Sequence, residues 1–298
     1  MTNGADKRPG PGWTATPLAR LAAFAVLLAV LAGSAALVGR ASGLEVEESA
    51  AHENSDQTPH GGGTTAGSGG NGLSDTASGL RLQLEAATLE TGVSSRFELA
   101  IVDRHGEPIA PLHGMHGEPP LHLILVRRDL AGYQHLHPKP SGEGYVVDVA
   151  LPLPGIWRAY ADFEVDGEKV VLGRDLFAPG EFTPTPLPPV VATARSGSYE
   201  VELSRQELQP GAEATLQFGI SRAGKPLGAL QPYLGAAGHL VAIRKDDLAY
   251  LHVHPLESAR TGRVDFAADF PEPGRYALFL QFKHEGRVQT VRFTVEVA

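Results

Sequence analysis

The chain has 298 residues, 42% hydrophobic and 20% charged, enough for two domains of ordinary size, each with its own core. A formal net charge of -9 without any basic stripe argues against nucleic acid as a partner. The absence of cysteine excludes disulfides, thiolate metal sites and cysteine nucleophiles.

Residues 1–20 carry Lys7, Arg8 and Arg20, and the run 21–39 is weakly polar or apolar throughout before Arg40. That length exceeds a usual secretory core and approaches what a bilayer requires. The positive flank lies on the N-terminal side, so a signal anchor with an exported body is expected, a cleaved signal peptide being the alternative. Residues 40–78 are rich in Gly, Ser, Thr and Asn with hardly any large apolar side chain. Such a stretch buries too little to fold and is expected to be a disordered tether.

From Leu80 the pattern becomes strand-like, and it is written twice. Leu80-x-Leu82-x-Leu84, Phe97-x-Leu99-x-Ile101 and the turn 104–108 are answered by Tyr199-x-Val201-x-Leu203, Leu216-x-Phe218-x-Ile220 and the turn 222–226. The corner Pro154-Gly-Ile-Trp157-Arg-Ala-Tyr160-Ala-Asp-Phe163 is answered by Pro273-Gly-Arg-Tyr276-Ala-Leu-Phe279-Leu-Gln-Phe282. A repeat of about 110–120 residues is longer than a solenoid period, so each copy is a domain. Short strands with close turn signals, and an aromatic near the start of a late strand, predict an all-β chain of two tandem immunoglobulin-like β-sandwiches at 79–182 and 190–298. Residues 183–189, Thr-Pro-Thr-Pro-Leu-Pro-Pro, read as a stiff spacer between them.

Each copy carries the same histidine block. His122 opens an apolar run, an Arg-Arg-Asp turn follows, and His135-Leu-His137-Pro138 returns; His239, Arg-Lys-Asp and His252-Val-His254-Pro255 repeat it without a gap. As a hairpin, the block puts His135 and His137 on one face about 6.5–7 Å apart along the strand. His122 then lies opposite or diagonal to them. Three imidazoles on neighbouring strands can meet a Zn²⁺-like ion at about 2.0–2.1 Å, which predicts one three-histidine site per domain. The bland reading is structural histidines satisfied by carbonyls, water or carboxylates.

Parity places Leu121, Leu123, Leu125 and Leu136 on one face and His122, Ile124, Val126, Tyr133, His135 and His137 on the other. The leucine face is expected in the sandwich core. The imidazoles then lie outside it or under the loop Leu112 to Pro120, where His113, Met115 and His116 are candidate extra ligands. Tyr133 and Tyr250 share the histidine face, for packing or as donors behind the ligands. Neutral imidazole suits Cu(II) or Zn²⁺, whereas Cu(I) favours sulfur, and Met115 is the only methionine besides Met1.

At Gly238 to Arg244 and Leu251 to Pro255 the chain resembles uncharacterised exported actinobacterial proteins with a Gly-His-Leu-Val-Ala-x-Arg and Leu-His-Val-His-Pro signature. The first copy departs from it at Pro120-Leu121-His122 and Gln134. In architecture it is loosely similar to extracytoplasmic β-sandwich copper-handling proteins, although their methionine-rich ligand strings are missing. The expectation is therefore a membrane-tethered extracytoplasmic protein for metal buffering, sensing or delivery, not an enzyme. Two other readings stand beside it: a metal-free adhesion or partner-binding module, and a zinc-hydroxide hydrolase or hydratase resembling carbonic anhydrases in its histidines.

Overall fold

The computed structural model describes residues 70–109, 112, 119–204, 207–251, 253–256 and 262–298. The expected anchor at 21–39, most of the tether, His113, Met115, His116 and His252 lie outside the described residues. No helix among those described is long and apolar enough to cross a membrane.

The first domain contains β1 (Thr76–Ala77), β2 (Leu80–Leu84), β3 (Ser95–Val102), β4 (Leu121–Arg127), β5 (Gln134–Leu136), β6 (Lys139–Ser141), β7 (Gly144–Val149), β8 (Gly155–Val165) and β9 (Glu168–Ala178). The second contains β10 (Thr193–Ser196), β11 (Tyr199–Leu203), β12 (Glu213–Arg222), β13 (Lys225–Pro226), β14 (His239–Arg244), β15 (Tyr250–Leu251), β16 (Val253–Leu256), β17 (Arg263–Asp269), β18 (Gly274–His284) and β19 (Arg287–Val297). One sheet of the first domain runs β1-β2-β3-β7-β6, the other β5-β4-β8-β9. The second domain repeats this as β10-β11-β12-β17-β16, with β13 on β12, and β15-β14-β18-β19. This order, in which the fourth sequential strand leaves for the second sheet, is that of an immunoglobulin-like sandwich.

The matching corners close in the same way. Trp157 Nε1 donates to Leu153 O at 2.9 Å and Tyr276 Oη to Glu272 O at 2.8 Å, each reaching four residues back as the tyrosine corner of this architecture does. Both long hairpins turn on a left-handed pair, Asp166-Gly167 and Glu285-Gly286. A two-residue turn with positive φ at both positions matches the twist of the strands it joins.

The leucine face of β4 is in the core as expected. Leu121, Leu123 and Leu125 pack with Phe97, Leu99, Trp157 and Phe163. The other face is covered as well, since all seven residues of β4 are buried, and what covers it is the second domain. Ile124, Val126, Leu130 and Tyr160 form one apolar cluster with Val241, Ile243, Leu248, Tyr250, Ala277 and Phe279. Strands covered on both faces read as near-continuous apolar runs, which Leu121 to Val126 is apart from His122 and Leu240 to Ile243 is throughout. Across this seam Tyr160 Oη donates to Leu248 O at 2.6 Å, and Arg292 Nη1 to Leu130 O at 2.8 Å.

One expected boundary shifts. Residues 70–78 were expected in the tether but belong to the fold. Gly72 N donates to Val171 O, Gly173 N to Ser74 O, and Tyr250 N of the second domain to Asn71 O. Arg158, buried on β8, donates to Gly72 O through both Nε and Nη2. Its composition offers little to bury, since its one large apolar side chain, Leu73, is exposed; apart from Ala77 at the edge of the core, it is held by its backbone groups. The spacer is pinned too. Thr185 N donates to Asp129 Oδ2, and Arg127 Nη2 donates to Thr183 O and Thr185 Oγ1.

A candidate metal centre at the seam between the two sandwiches

The first-domain hairpin forms in the expected register, with Leu123 opposite Leu136 and Ile124 opposite His135. That register, together with the loop after Leu136, brings His122, His135 and His137 together. One ring nitrogen from each lies within 4.8 Å of the others. His122 Nδ1 and His135 Nε2 are 3.2 Å apart. Two nitrogens bound tetrahedrally to one ion at about 2.0–2.1 Å stand about 3.3 Å apart, so this pair already has the spacing that coordination needs.

The environment sets the chemical form of the rings. His135 Nδ1 lies 2.6 Å from Gln281 Oε1, a residue of the second domain. Gln281 Nε2 in turn donates to Thr290 Oγ1 at 3.2 Å. A carbonyl oxygen only accepts, so the His135 proton sits on Nδ1 and Nε2 carries the lone pair. Burial pushes the His135 pKa well below the ordinary imidazole value, and the neighbouring His122 lowers it further, although Gln281 works the other way. Burial lowers His137 too. Its Nε2 is inaccessible and has no hydrogen-bond partner among the described residues. Neutral His135 and His137, with the His135 Nε2 lone pair facing the His122 ring, are the form a divalent transition ion would take up, and an orphaned buried nitrogen such as His137 Nε2 is one that an ion would satisfy.

A fourth imidazole joins from the other domain. The His239 ring centroid is 4.6 Å from that of His135 and 5.4 Å from that of His122. Tyr233 meets His135 edge-on at 6.5 Å. Behind the ligands, Asp162 stands directly across the ladder from His122 and accepts from Tyr250 Oη at 2.8 Å. Burial raises the Asp162 pKa, against the opposing pulls of His122 and the Tyr250 hydroxyl. Tyr133 stacks on Phe279 with centroids 4.1 Å apart.

The second copy does not repeat the arrangement of the first. His239 turns to the first domain's trio, whereas His254 is exposed on β16, in the opposite sheet. The cause is the point at which the chain changes sheets. In the first domain Leu136 still pairs with β4. Its counterpart Val253 already pairs with Ala268 of β17 and is buried in the second core, carrying His254 away with it. Among the described residues a single group of three histidines close enough to share an ion is therefore found, at the seam between the domains.

Asp162, Gln281 and Tyr233 did not emerge from the sequence. The first two had a signal: each is a polar residue between buried apolar neighbours, at matched positions of the two corners, Ala-Asp-Phe and Leu-Gln-Phe. A polar side chain inside such a run needs a buried partner.

A family model described as "Domain of unknown function (DUF8832)" matches residues 75–175 and again 192–298. The chain belongs to the DUF8832 family. No curated protein matches it. Among solved structures, the DUF8832 chain is 14% identical to FdeC, an Escherichia coli adhesin, over 76% of this chain and 65% of that one, with a TM-score of 0.25. It is 15% identical to Salmonella alpha-2-macroglobulin reacted with methylamine, over 78% of this chain and 15% of that one, at 0.27. It is 10% identical to domains 4 and 5 of the S-layer protein SbsC, over 74% and 97%, at 0.24. The chain thus spans less than two thirds of the adhesin and macroglobulin structures, and scores this low carry no argument about function.

Proposed function

We propose that this DUF8832 protein binds a divalent transition ion, Zn²⁺ or Cu(II), through His122, His135 and His137, in buffering, sensing or delivery of that ion outside the cytoplasmic membrane. The convergence of three imidazole nitrogens within 4.8 Å carries this reading. It is supported by the Gln281 contact, which directs the His135 Nε2 lone pair toward His122, since an outer partner on the remote ring nitrogen is how proteins orient a ligating histidine. When His122 Nδ1 engages the ion, its proton moves to the other ring nitrogen, so binding at this residue is a tautomer change. The extracytoplasmic placement rests on the basic flank and apolar run at 21–39.

The test is elemental analysis of the chain purified without a histidine tag, before and after dialysis against Zn²⁺ or Cu²⁺, alongside His137→Ala. About one equivalent per wild-type chain is expected, with retention weakened at least tenfold in the variant, as loss of even an outer partner costs about 10–100-fold. A wild-type chain that retains neither ion after dialysis would overturn the proposal and leave a metal-free partner-binding module.

A further inference from the structure

The three-histidine reading leaves open who fills the last position of a tetrahedral ion. Three protein ligands normally leave that position to water, whereas four close it. The ring nearest the trio, His239, comes from the second sandwich; its centroid is nearer to His135 than His122's is, 4.6 against 4.9 Å, while its nitrogens stand outside the 4.8 Å group of the trio, so coordination would take a turn of this ring. It opens β14 opposite Gln281 on β18. One ladder rung of the second domain therefore presents both an imidazole beside the trio and the carbonyl that orients His135. In the first domain the equivalent rung is His122 opposite Asp162. The two rungs face each other across a seam closed by the Tyr250 to Asp162 and Tyr160 to Leu248 hydrogen bonds.

We infer that the second sandwich completes the site: His239 is the fourth ligand and Gln281 the positioning residue, so that ion uptake and docking of the two sandwiches are one linked equilibrium. This rests on the three-histidine reading. Its consequence is reciprocal. An ion held by both domains must favour their docked arrangement by as much as docking favours the ion. The ion is then closed off from water on the second domain's side, which suits retention and buffering rather than hydrolysis, because a zinc-hydroxide centre needs the open position that His239 would occupy.

The experiment uses the full chain with Zn²⁺ as the probe. The imidazole nitrogens are followed by long-range ¹⁵N correlation, and hydrogen exchange is followed at β14 and β18. On adding one equivalent of Zn²⁺, the His239 nitrogens are expected to shift together with those of His122, His135 and His137, and exchange at Leu240 to Ile243 to slow. His239→Gln should still bind Zn²⁺ through the trio, at least about tenfold more weakly, without slowing exchange in β14. Gln281→Leu should weaken binding by about 10–100-fold, and Gln281→Glu, which keeps an acceptor for the His135 Nδ1 proton, should recover most of it. Zn²⁺ that shifts the trio but not His239, or protection confined to the first domain, overturns this inference and leaves the three-histidine site standing. Wild-type chain whose imidazoles do not respond to Zn²⁺ at all overturns both.

Discussion

Tyr250→Phe removes one hydroxyl from the seam and leaves its ring in the apolar cluster, so it isolates a single interdomain hydrogen bond. That hydroxyl donates to Asp162 Oδ2 at 2.8 Å, and both side chains are buried. A bond to a charged group is worth about 1.5–3 kcal/mol net, so a loss of about 2 kcal/mol is expected near neutral pH. Burial raises the folded-state pKa of Asp162, so on acidification the folded chain takes up this proton before the unfolded chain does. Two consequences follow from that sign: burial of the ionised carboxylate opposes folding at neutrality, and acidification toward the folded pKa relieves it. The bond then becomes a neutral one worth about 0.5–1.5 kcal/mol, so the cost of the substitution should roughly halve. Urea unfolding of wild type and variant with a chelator present, in a series of buffers from neutral pH downward and followed by tryptophan fluorescence and circular dichroism, measures both quantities. A neutral-pH loss below about 0.5 kcal/mol, or a loss that grows on acidification, would refute the account of the seam.

Three further substitutions probe other parts of the argument. His135 has a depressed folded pKa, so the metal-free chain should hold this stability above the unfolded-chain value of about 6.5 and lose it as pH falls through that value toward the folded pKa. His135→Gln should flatten the profile, and identical urea profiles for the two proteins would count against the burial of this ring. In Gly173→Ala the added Cβ would meet Gly72 O at 1.8 Å, so residues 70–77 should lose their docking, at about 1–3 kcal/mol; limited proteolysis that cuts this segment no faster than in wild type would contradict it. Asp129→Ala leaves the 2% exposed Arg127 without its carboxylate and frees Thr185 N. Breaking a buried pair in this way costs about 3–5 kcal/mol, read as a lower urea midpoint, and an unchanged midpoint would show that the spacer is not anchored there.

The histidine hairpin was legible because strands alternate faces. His122, His135 and His137 share the parity of Ile124 and Val126, and the Leu121, Leu123 and Leu125 face could be assigned to the core by composition alone. The duplication and the aromatic corners at Trp157 and Tyr276 likewise named the sandwich. What covered the histidine face was not legible. The loop Leu112 to Pro120 was the nearest cover in sequence, whereas Phe279, Val241 and Tyr250 are more than a hundred residues away. The double burial of Leu121 to Val126 was a clue, because a strand with one face in solvent should alternate in polarity and this one hardly does.

The sequence by itself determined the local pattern: two copies of a sandwich, much of the strand alternation within each, and the shared face of His122, His135 and His137. Those properties follow from the two-residue period of a strand and from burial of apolar side chains, which are written in adjacent residues. Only the tertiary structure decided that the trio in the first copy is joined by His239 rather than mirrored by a second trio, and that Gln281 orients His135. A shift in where β16 joins its sheet sends His254 to the far side, and the docking of two sheet faces brings His239 in. Both depend on how surfaces far apart in the chain fit together, and nothing in the spacing of neighbouring residues encodes that fit.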